Sequence, residues 1–539
     1  MREDLTKYRR CGPLINLIPW SWGLGLAAIL LGRMVFADFC IIDDHWEALW
    51  LGETHNFSFS KIWPAALSAE LGSLGSGGRY KPAWILYIAL ETWLFGDQPG
   101  LYHALRILYF ALFLGIACRI AARCIGLVPA LVFVTALTGL GFWGNLWTLS
   151  LGPLEQLAVA GVAILMIAYD VIVPRYVSGE DIPAWALPMA SFGTAIAAGS
   201  KENFVFLVGI LGAVAIAMAA TRCLRVASAI LALPPLVVPA LVLYALASAA
   251  GNSQDFYGVD NSVAHRLATL LDLRQVLGRP FFVPFMLAAV LLAALLAWVG
   301  YRRSLLPRLQ RRRATLVFMG FIGLLAVYTS WELFFYNGRL PSGTRYDFPI
   351  LLFPPSIALG FAAFARYTSL VSTGWGWRSV QFAFLAMIAF YLAYFRAPFA
   401  LRSQVNAAVV RTTEFRHDFN VMRTKTSMHS DWPIVLEPNS PWDYEVVDKF
   451  HVWTKFFGIS NPIMLRVEIT SKDPTKFEQW LVGQMQNWAT AGINGSFQPS
   501  PDPTTLEGLN GDCFAIGFSH SIISHCMPLD FAPNRYIPH

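Results

Sequence analysis

The sequence predicts a polytopic α-helical membrane protein with about 11 transmembrane helices, followed by a small soluble α+β domain. Of its 539 residues, 56% are hydrophobic, against about 45–50% in soluble globular domains. Charged residues make up only 14% and the mean hydropathy is +0.50. Apolar runs of about 20 residues recur, and a helix of that length crosses a membrane. This composition excludes a disordered chain, a fibrous repeat and a disulfide scaffold, and it argues against an ordinary soluble enzyme.

Eleven apolar runs are long enough to cross the membrane. They lie near 16–37, 101–120, 127–145, 154–173, 184–200, 203–221, 226–249, 280–300, 314–335, 348–365 and 379–395. The first run follows basic residues and has no small-residue cleavage site, which favours a retained anchor over a signal peptide. Segment 82–96 is short for a span and contains Glu91. We expect it to lie in the interface, anchored by aromatic side chains.

Basic residues in the loops predict a cytoplasmic N-terminus, because short cytoplasmic loops are enriched in Lys and Arg. The densest inner cluster is Arg302, Arg303, Arg308, Arg311, Arg312 and Arg313. An odd number of spans then places 396–539 outside, where turn-rich polar stretches alternate with a strand-like and a helix-like segment. The predicted domains are a transmembrane domain, 1–395, with a first outer loop at 38–100 that contains interfacial helices, and an extracytoplasmic domain, 396–539.

Net charge and cysteine content add two expectations. The formal charge of +6 reflects loop topology rather than nucleic-acid binding. Cys513 and Cys526 would share an oxidising compartment, so they are candidates for a disulfide, with two unpaired thiols as the alternative. The other five cysteines, including Cys40, are interpreted as small apolar fillers.

Adjacent carboxylates follow the first predicted span, at Asp43 and Asp44, with His45 next to them. Two neighbouring carboxylates repel each other, so one of them can keep a raised pKa. Such a group suits a general base that takes a proton from a hydroxyl. The alternative is a solvated start of the loop.

Cations lie at two other positions on the predicted outer face. Arg79, Tyr80 and Lys81 precede the interfacial segment, where cations can hold a lipid phosphate or simply attract anionic lipids. Arg345, followed by Tyr346, lies at a span entrance, where an arginine can clamp a phosphate or extend to the interface.

Two short outer turns bring further charges to the same face. Glu155 begins the span after the first turn, and Lys201 and Glu202 occupy the second turn. A turn of three residues holds its side chains tightly, so Glu155 and Lys201 can face each other across a cavity. The alternative is a structural ion pair.

The order of these motifs resembles the GT-C superfamily of integral-membrane glycosyltransferases. The resemblance rests on the acidic pair after span 1, on RYKPAWILYIALETWLFG and QPGLYHALRILYF, and on the GPLEQ, SKEN and RYDFP segments. It covers roughly residues 15–365, and the chain is similar to the protein O-mannosyltransferases and the lipid A aminoarabinose transferase. The C-terminal segment matches nothing in this family.

The resemblance implies a sugar donor linked to polyprenyl phosphate and an extracytoplasmic acceptor hydroxyl on a glycolipid, a lipopolysaccharide or another polysaccharide, less so on a protein. It implies that Asp44 or Asp43 acts as the base of an inverting transfer. Relatives usually carry Asp where this chain has Glu155, so a role for Glu155 as a second carboxylate or metal ligand is open. The cations that would hold the donor phosphate are Arg79, Lys81, Lys201 and Arg345, and the candidate cavity residues are His45, Tyr80, Glu202 and Tyr346.

No cofactor is required by these motifs, although a divalent metal is compatible with them. Compact loops and the absence of an organelle retention signal favour a bacterial inner membrane.

Two other classes stay open: a transporter or flippase of a lipid-linked saccharide, and an assembly protein whose outer domain binds a partner. Transporters often show inverted repeats, whereas this chain shows none and its unusual charges gather on one face.

Overall fold

The computed structural model describes residues 13–71, 80–221, 225–249, 262, 264–265, 267–268, 307–335, 345, 348–367, 400–437, 443–465, 483, 497–498, 512–518 and 529–535. Over these residues the chain is mainly helical, with one sheet near its C-terminus. The predicted spans 280–300 and 379–395 lie outside the described residues, as do Arg79, Tyr346 and Cys526.

The helices of the N-terminal part include long apolar segments and shorter connecting ones. They are α1 (Pro13–Leu31), α2 (His45–Leu51), α3 (Ile62–Ala66), α4 (Pro82–Phe95), α5 (Pro99–Ile125), α6 (Leu127–Leu137), α7 (Phe142–Thr148), α8 (Leu154–Ser178), α9 (Ala186–Ser200), α10 (Leu207–Ala220), α11 (Val226–Ala232), α12 (Val237–Ala249), α13 (Arg308–Phe335) and α14 (Phe353–Tyr367). Short 3-10 turns extend several of these helices, as Gly32–Phe36 extends α1 and Glu202–Phe206 precedes α10.

Six segments in the described part of the chain are long and apolar enough to cross a membrane, so the protein is an integral membrane protein. They are Asn16–Phe36, Pro99–Ile125, Leu154–Ser178, Glu202–Ala220, Val226–Ser248 and Arg308–Glu332. The predicted straight span 127–145 is instead a pair of helices, α6 and α7, bent by 68°. Helices α9 and α14 have 15 residues each, fewer than a crossing usually needs. The described residues therefore support six spans, or seven with the bent pair, of the eleven expected.

Helices α8 and α9 run antiparallel and touch through their backbones. A Cβ added at Gly161 would lie 2.7 Å from the Gly193 carbonyl oxygen and 2.7 Å from the Ala197 nitrogen. In a membrane the hydrophobic effect does not drive helices together, so they associate through close van der Waals packing. Small residues such as these glycines permit that close approach. The packing brings the start of α8, which carries Glu155, beside Lys201, which follows α9.

The C-terminal part contains two further helices and a sheet. Helix α15 spans Ala400–Thr426, and α16 spans Tyr444–Phe456 between the first two strands. The strands are β1 (Ile434–Glu437), β2 (Ile463–Leu465), β3 (Phe497–Gln498), β4 (Asp512–Phe518) and β5 (Leu529–Arg535), in the order β3-β2-β1-β4-β5. All pairs are parallel except β4 with β5. The strand-like segment expected in this part is IMLRVEIT (463–470), and β2 is its first three residues. The helix-like segment is KFEQWLVGQMQNWA (476–489), which falls almost wholly outside the described residues.

Residues from the first outer loop and from the C-terminal part form one shared hydrophobic core. Phe39 packs with its ring centroid 5.8 Å from Tyr102 and 6.1 Å from Trp453. Trp453 in turn makes an edge contact with Phe415 at 5.1 Å. Because aromatic side chains bury large areas in such contacts, helices α15 and α16 and the loop after α1 stabilise each other.

One cysteine differs from expectation. Cys40, expected to be a small apolar filler, is disulfide-bonded. Cys513 is buried within strand β4, and Cys526 lies outside the described residues, so the Cys513–Cys526 disulfide stays a prediction.

Candidate functional site

The acidic pair lies in the segment between α1 and α2, and the two carboxylates have different surroundings. Asp43 adopts the left-handed backbone conformation, with φ 72°, which Asp and Asn tolerate better than most residues. Its side chain is 28% exposed, whereas Asp44 is 1% exposed. The turn places Asp43 beside Arg345 and Asp44 toward the protein interior.

Both oxygens of Asp44 accept hydrogen bonds from the backbone. The N–H of Leu151 donates to Oδ1 at 2.7 Å, and the N–H of Cys40 donates to Oδ2 at 2.9 Å. Burial raises the pKa of Asp44 well above its usual range; nearby Glu47 raises it further, and the two backbone donors oppose this. Asp44 therefore ties the loop after α1 to the turn before α8 and is poorly placed to meet a substrate.

Asp43 lies beside a cation and a second carboxylate. Arg345 Nη1 lies 3.3 Å from Asp43 Oδ2, and Arg345 Nε lies 3.9 Å from Glu155 Oε2. Ser150 Oγ lies 3.4 Å from Asp43 Oδ2. The close approach needs a glycine at 152, because an added Cβ there would lie 2.3 Å from Asp43 Cβ.

Glu155 and Lys201 form a buried ion pair, the structural alternative that the sequence analysis considered for them. Glu155 lies in the first turn of α8, where a negative charge interacts favourably with the helix dipole. Asn203, in the same turn as Lys201, donates through Nδ2 to Glu332 Oε1 at 2.7 Å. Asp43, Arg345, Glu155 and Lys201 thus form one chain of alternating charges. We call these four residues the charge cluster.

A buried arginine supports the turn that faces Asp43. Arg106 forms an ion pair with Glu91 and donates from Nε to Gln156 Oε1 at 3.1 Å. Its Nη2 donates to the carbonyl of Leu151 at 3.2 Å. Leu151 therefore contacts Arg106 through its C=O and Asp44 through its N–H, so its backbone is fixed from both sides.

The other expected residues lie around the charge cluster in different ways. Lys81 is half-buried, with Nζ 5.3 Å from the centroid of the Trp84 ring, and Tyr80 is buried. The His45 ring centroid lies 5.3 Å from that of Trp46, with the two rings tilted by 36°. Burial lowers the pKa of His45 well below its usual range, and Lys449, a residue of α16, lowers it further. Glu202 is buried beside Lys201.

The described residues contain no group of three or more His, Cys, Asp or Glu side chains arranged to hold a metal ion. In the charge cluster the two carboxylates are neutralised by Arg345 and Lys201.

Sequence reasoning missed three contributors to the site. Arg106 had a readable signal, because a charged residue inside an apolar run marks a buried partner. The Leu151 N–H had none, since backbone donors leave no trace in composition, and nothing in the sequence distinguishes Ser150 from other serines.

No protein-family model matches the chain, and no curated protein matches it. Among solved structures, the chain is similar to the crystal structure of ArnT from Cupriavidus metallidurans bound to undecaprenyl phosphate. The sequence identity is 12% and the TM-score 0.39, over 92% of this chain and 92% of that chain.

Proposed function

We propose that this protein is a membrane glycosyltransferase of the GT-C type that transfers a sugar from a polyprenyl-phosphate donor to an acceptor hydroxyl outside the cytoplasm. The acceptor is a glycolipid, a lipopolysaccharide or another polysaccharide, in preference to a protein. The observation that carries the proposal is the charge cluster, in which a partly exposed carboxylate, Asp43, lies 3.3 Å from a partly exposed guanidinium, Arg345.

Asp43 is the general base in this proposal. A base must reach the proton that it removes, and Asp43 is partly exposed while both oxygens of Asp44 are engaged by backbone donors. Asp43 takes the proton of the acceptor hydroxyl. The oxygen then attacks the anomeric carbon, and the bond from that carbon to the phosphate oxygen breaks. A single displacement of this kind inverts the anomeric configuration.

The leaving phosphate keeps the electron pair of the broken bond, so fixed positive charge stabilises the transition state. Arg345 is the cation best placed for this, because its side chain is 19% exposed and lies between Asp43 and Glu155. Lys201 is buried against Glu155, so its role is to fix that carboxylate. Lys81 can reach the donor from the side of the interfacial helix α4.

Turnover of the purified protein in lipid nanodiscs tests the proposal. A panel of polyprenyl-phosphate sugars serves as donor and a native lipid extract as acceptor, with polyprenyl phosphate release and acceptor mass as the readouts. We expect release that requires both donor and acceptor. Donor turnover at the rate of empty nanodiscs with every sugar would contradict the proposal.

A transporter of a lipid-linked saccharide is distinguished by accessibility. If the protein is an enzyme with one-sided access, a cysteine introduced at the partly exposed Arg345 should react with impermeant reagents from one face only. Labelling that alternates between the two faces would favour transport instead.

A further inference from the structure

Helices α15 and α16 contact the segment that carries the acidic pair at several points. The backbone N–H of Asp38 donates to Thr412 Oγ1 at 2.9 Å, and Arg416 Nη1 donates to Asp38 Oδ1 at 2.8 Å. Trp453 Nε1 donates to the carbonyl of Ile41 at 2.9 Å. Thr412, Arg416 and Trp453 all belong to the C-terminal part. The residues that they bind lie only two to five positions before Asp43.

Arg416 also closes the outer loop on itself. Its Nη2 donates to Asp97 Oδ2 at 3.2 Å while Nη1 holds Asp38. Asp38 lies at the start of the predicted outer loop, 38–100, and Asp97 lies near its end. One planar guanidinium therefore holds both ends of this loop together. A lysine could not hold two carboxylates in this planar geometry.

Two backbone N–H groups of residues 38–44 donate to carboxylates of the same segment. Phe39 N–H donates to Asp38 Oδ1 at 3.1 Å, and Cys40 N–H donates to Asp44 Oδ2. Phe39 and Ile41 are buried in the shared core with Trp453. The segment thus has its conformation set by two sources, the turn at Leu151 and the C-terminal helices.

We infer that Arg416 and Trp453 are positioning residues that hold Asp43 in place for proton transfer, so that the C-terminal part completes the site rather than serving only as a separate acceptor-binding domain. The inference rests on the proposed function for the chemistry at Asp43. It assigns a role to Arg416, which lies 378 positions after Asp38 in the sequence, and to Trp453, which lies 412 positions after Ile41.

Two full-length variants test the inference, Trp453→Phe and Arg416→Gln. Trp453→Phe keeps an aromatic ring but removes the donor to Ile41 together with part of the buried indole ring. Arg416→Gln removes the positive charge and the guanidinium that donates to both Asp38 and Asp97. Matched controls are Trp432→Phe, whose ring stacks on His429 at 3.9 Å, and Arg423→Gln, an exposed arginine on the same helix as Arg416. Arg416→Lys serves as the conservative variant.

Two readouts are measured, deuterium exchange of a peptide covering 38–44 and steady-state transfer. Both test variants should exchange faster in this peptide with no change in α8. They should lose about 10- to 100-fold in kcat, since small displacements of a catalytic group have large effects, while KM for the donor changes less than about two-fold. Arg416→Lys should recover part of the rate, and both controls should match the wild type.

Exchange of 38–44 equal to wild type in both variants would overturn the inference, and so would faster exchange with unchanged kcat. A raised KM with unchanged kcat would also overturn it, because that pattern indicates lost binding. A wild type that transfers no sugar would instead overturn the proposed function, and the exchange data would then decide alone whether the C-terminal part holds the loop.

Discussion

Glu47 is the residue whose environment is least satisfied in the described part of the chain. It lies on α2, is fully buried, and neither carboxylate oxygen has a hydrogen-bond partner. Burial raises its pKa from 4.5 to about 8. A carboxyl group in such surroundings keeps its proton, because an unpaired buried charge is very costly.

This environment predicts a pH dependence of stability. The unfolded chain releases the Glu47 proton near pH 4.5 and the folded protein holds it to about pH 8. The folded state therefore binds more protons in that window, and this group makes stability fall as pH rises through it. Glu47→Gln removes the titration. The difference in melting temperature between Glu47→Gln and the wild type should therefore shift in favour of the variant between about pH 5 and about pH 8. The corresponding change in the free energy of unfolding is about a few kcal/mol.

Thermal unfolding followed by tryptophan fluorescence in detergent measures this difference. The exposed Glu53, changed to Gln, is the control and should show no such trend. A gap between Glu47→Gln and the wild type that stays constant across the pH range would contradict the assignment of a buried neutral carboxyl.

At the scale of elements, the α8–α9 contact brings Glu155 to Lys201. Gly161→Ala places a methyl group against backbone atoms of α9, which cannot rotate away. We expect a loss of about 1–3 kcal/mol, as for other overpacked interiors, together with reduced transfer because the ion pair is displaced. Gly209→Ala is the matched control, since a Cβ there meets nothing within 4 Å. It should be neutral or stabilising by up to about 1 kcal/mol. Equal melting temperatures for the two variants would contradict this account of the packing.

Part of the site was readable from the sequence because short turns place charges at the ends of spans. The grouping of Asp43, Glu155, Lys201 and Arg345 follows from span order and charge alone. The break between α6 and α7 was not foreseen, because apolar residues continue across it and only Gly139 and Gly141 mark the bend. The contacts of Trp453 and Phe415 with the outer loop could not be predicted, since aromatic side chains on distant helices carry no periodic signal of their partners.

At the scale of the whole molecule, the charge distribution predicts which face of the membrane holds the site. Glu53 lies in the outer loop, while Arg312 lies in the basic cluster at the start of α13, and both are exposed. In intact cells an impermeant thiol reagent should label Glu53→Cys and should label Arg312→Cys only after permeabilisation. The reverse pattern would contradict a cytoplasmic N-terminus and would place the site in the cytoplasm.

The most direct test of the central claim is transfer by Asp43→Asn under single-turnover conditions with donor bound. Asn is isosteric and tolerates the left-handed conformation of residue 43, so folding and donor binding should be kept. We predict a loss of at least about 10²-fold in the transfer rate, the contribution typical of a general base. Asp181→Asn, an exposed carboxylate paired with Arg225, should transfer at the wild-type rate. An Asp43→Asn variant that binds donor and transfers sugar as fast as the wild type would contradict the account.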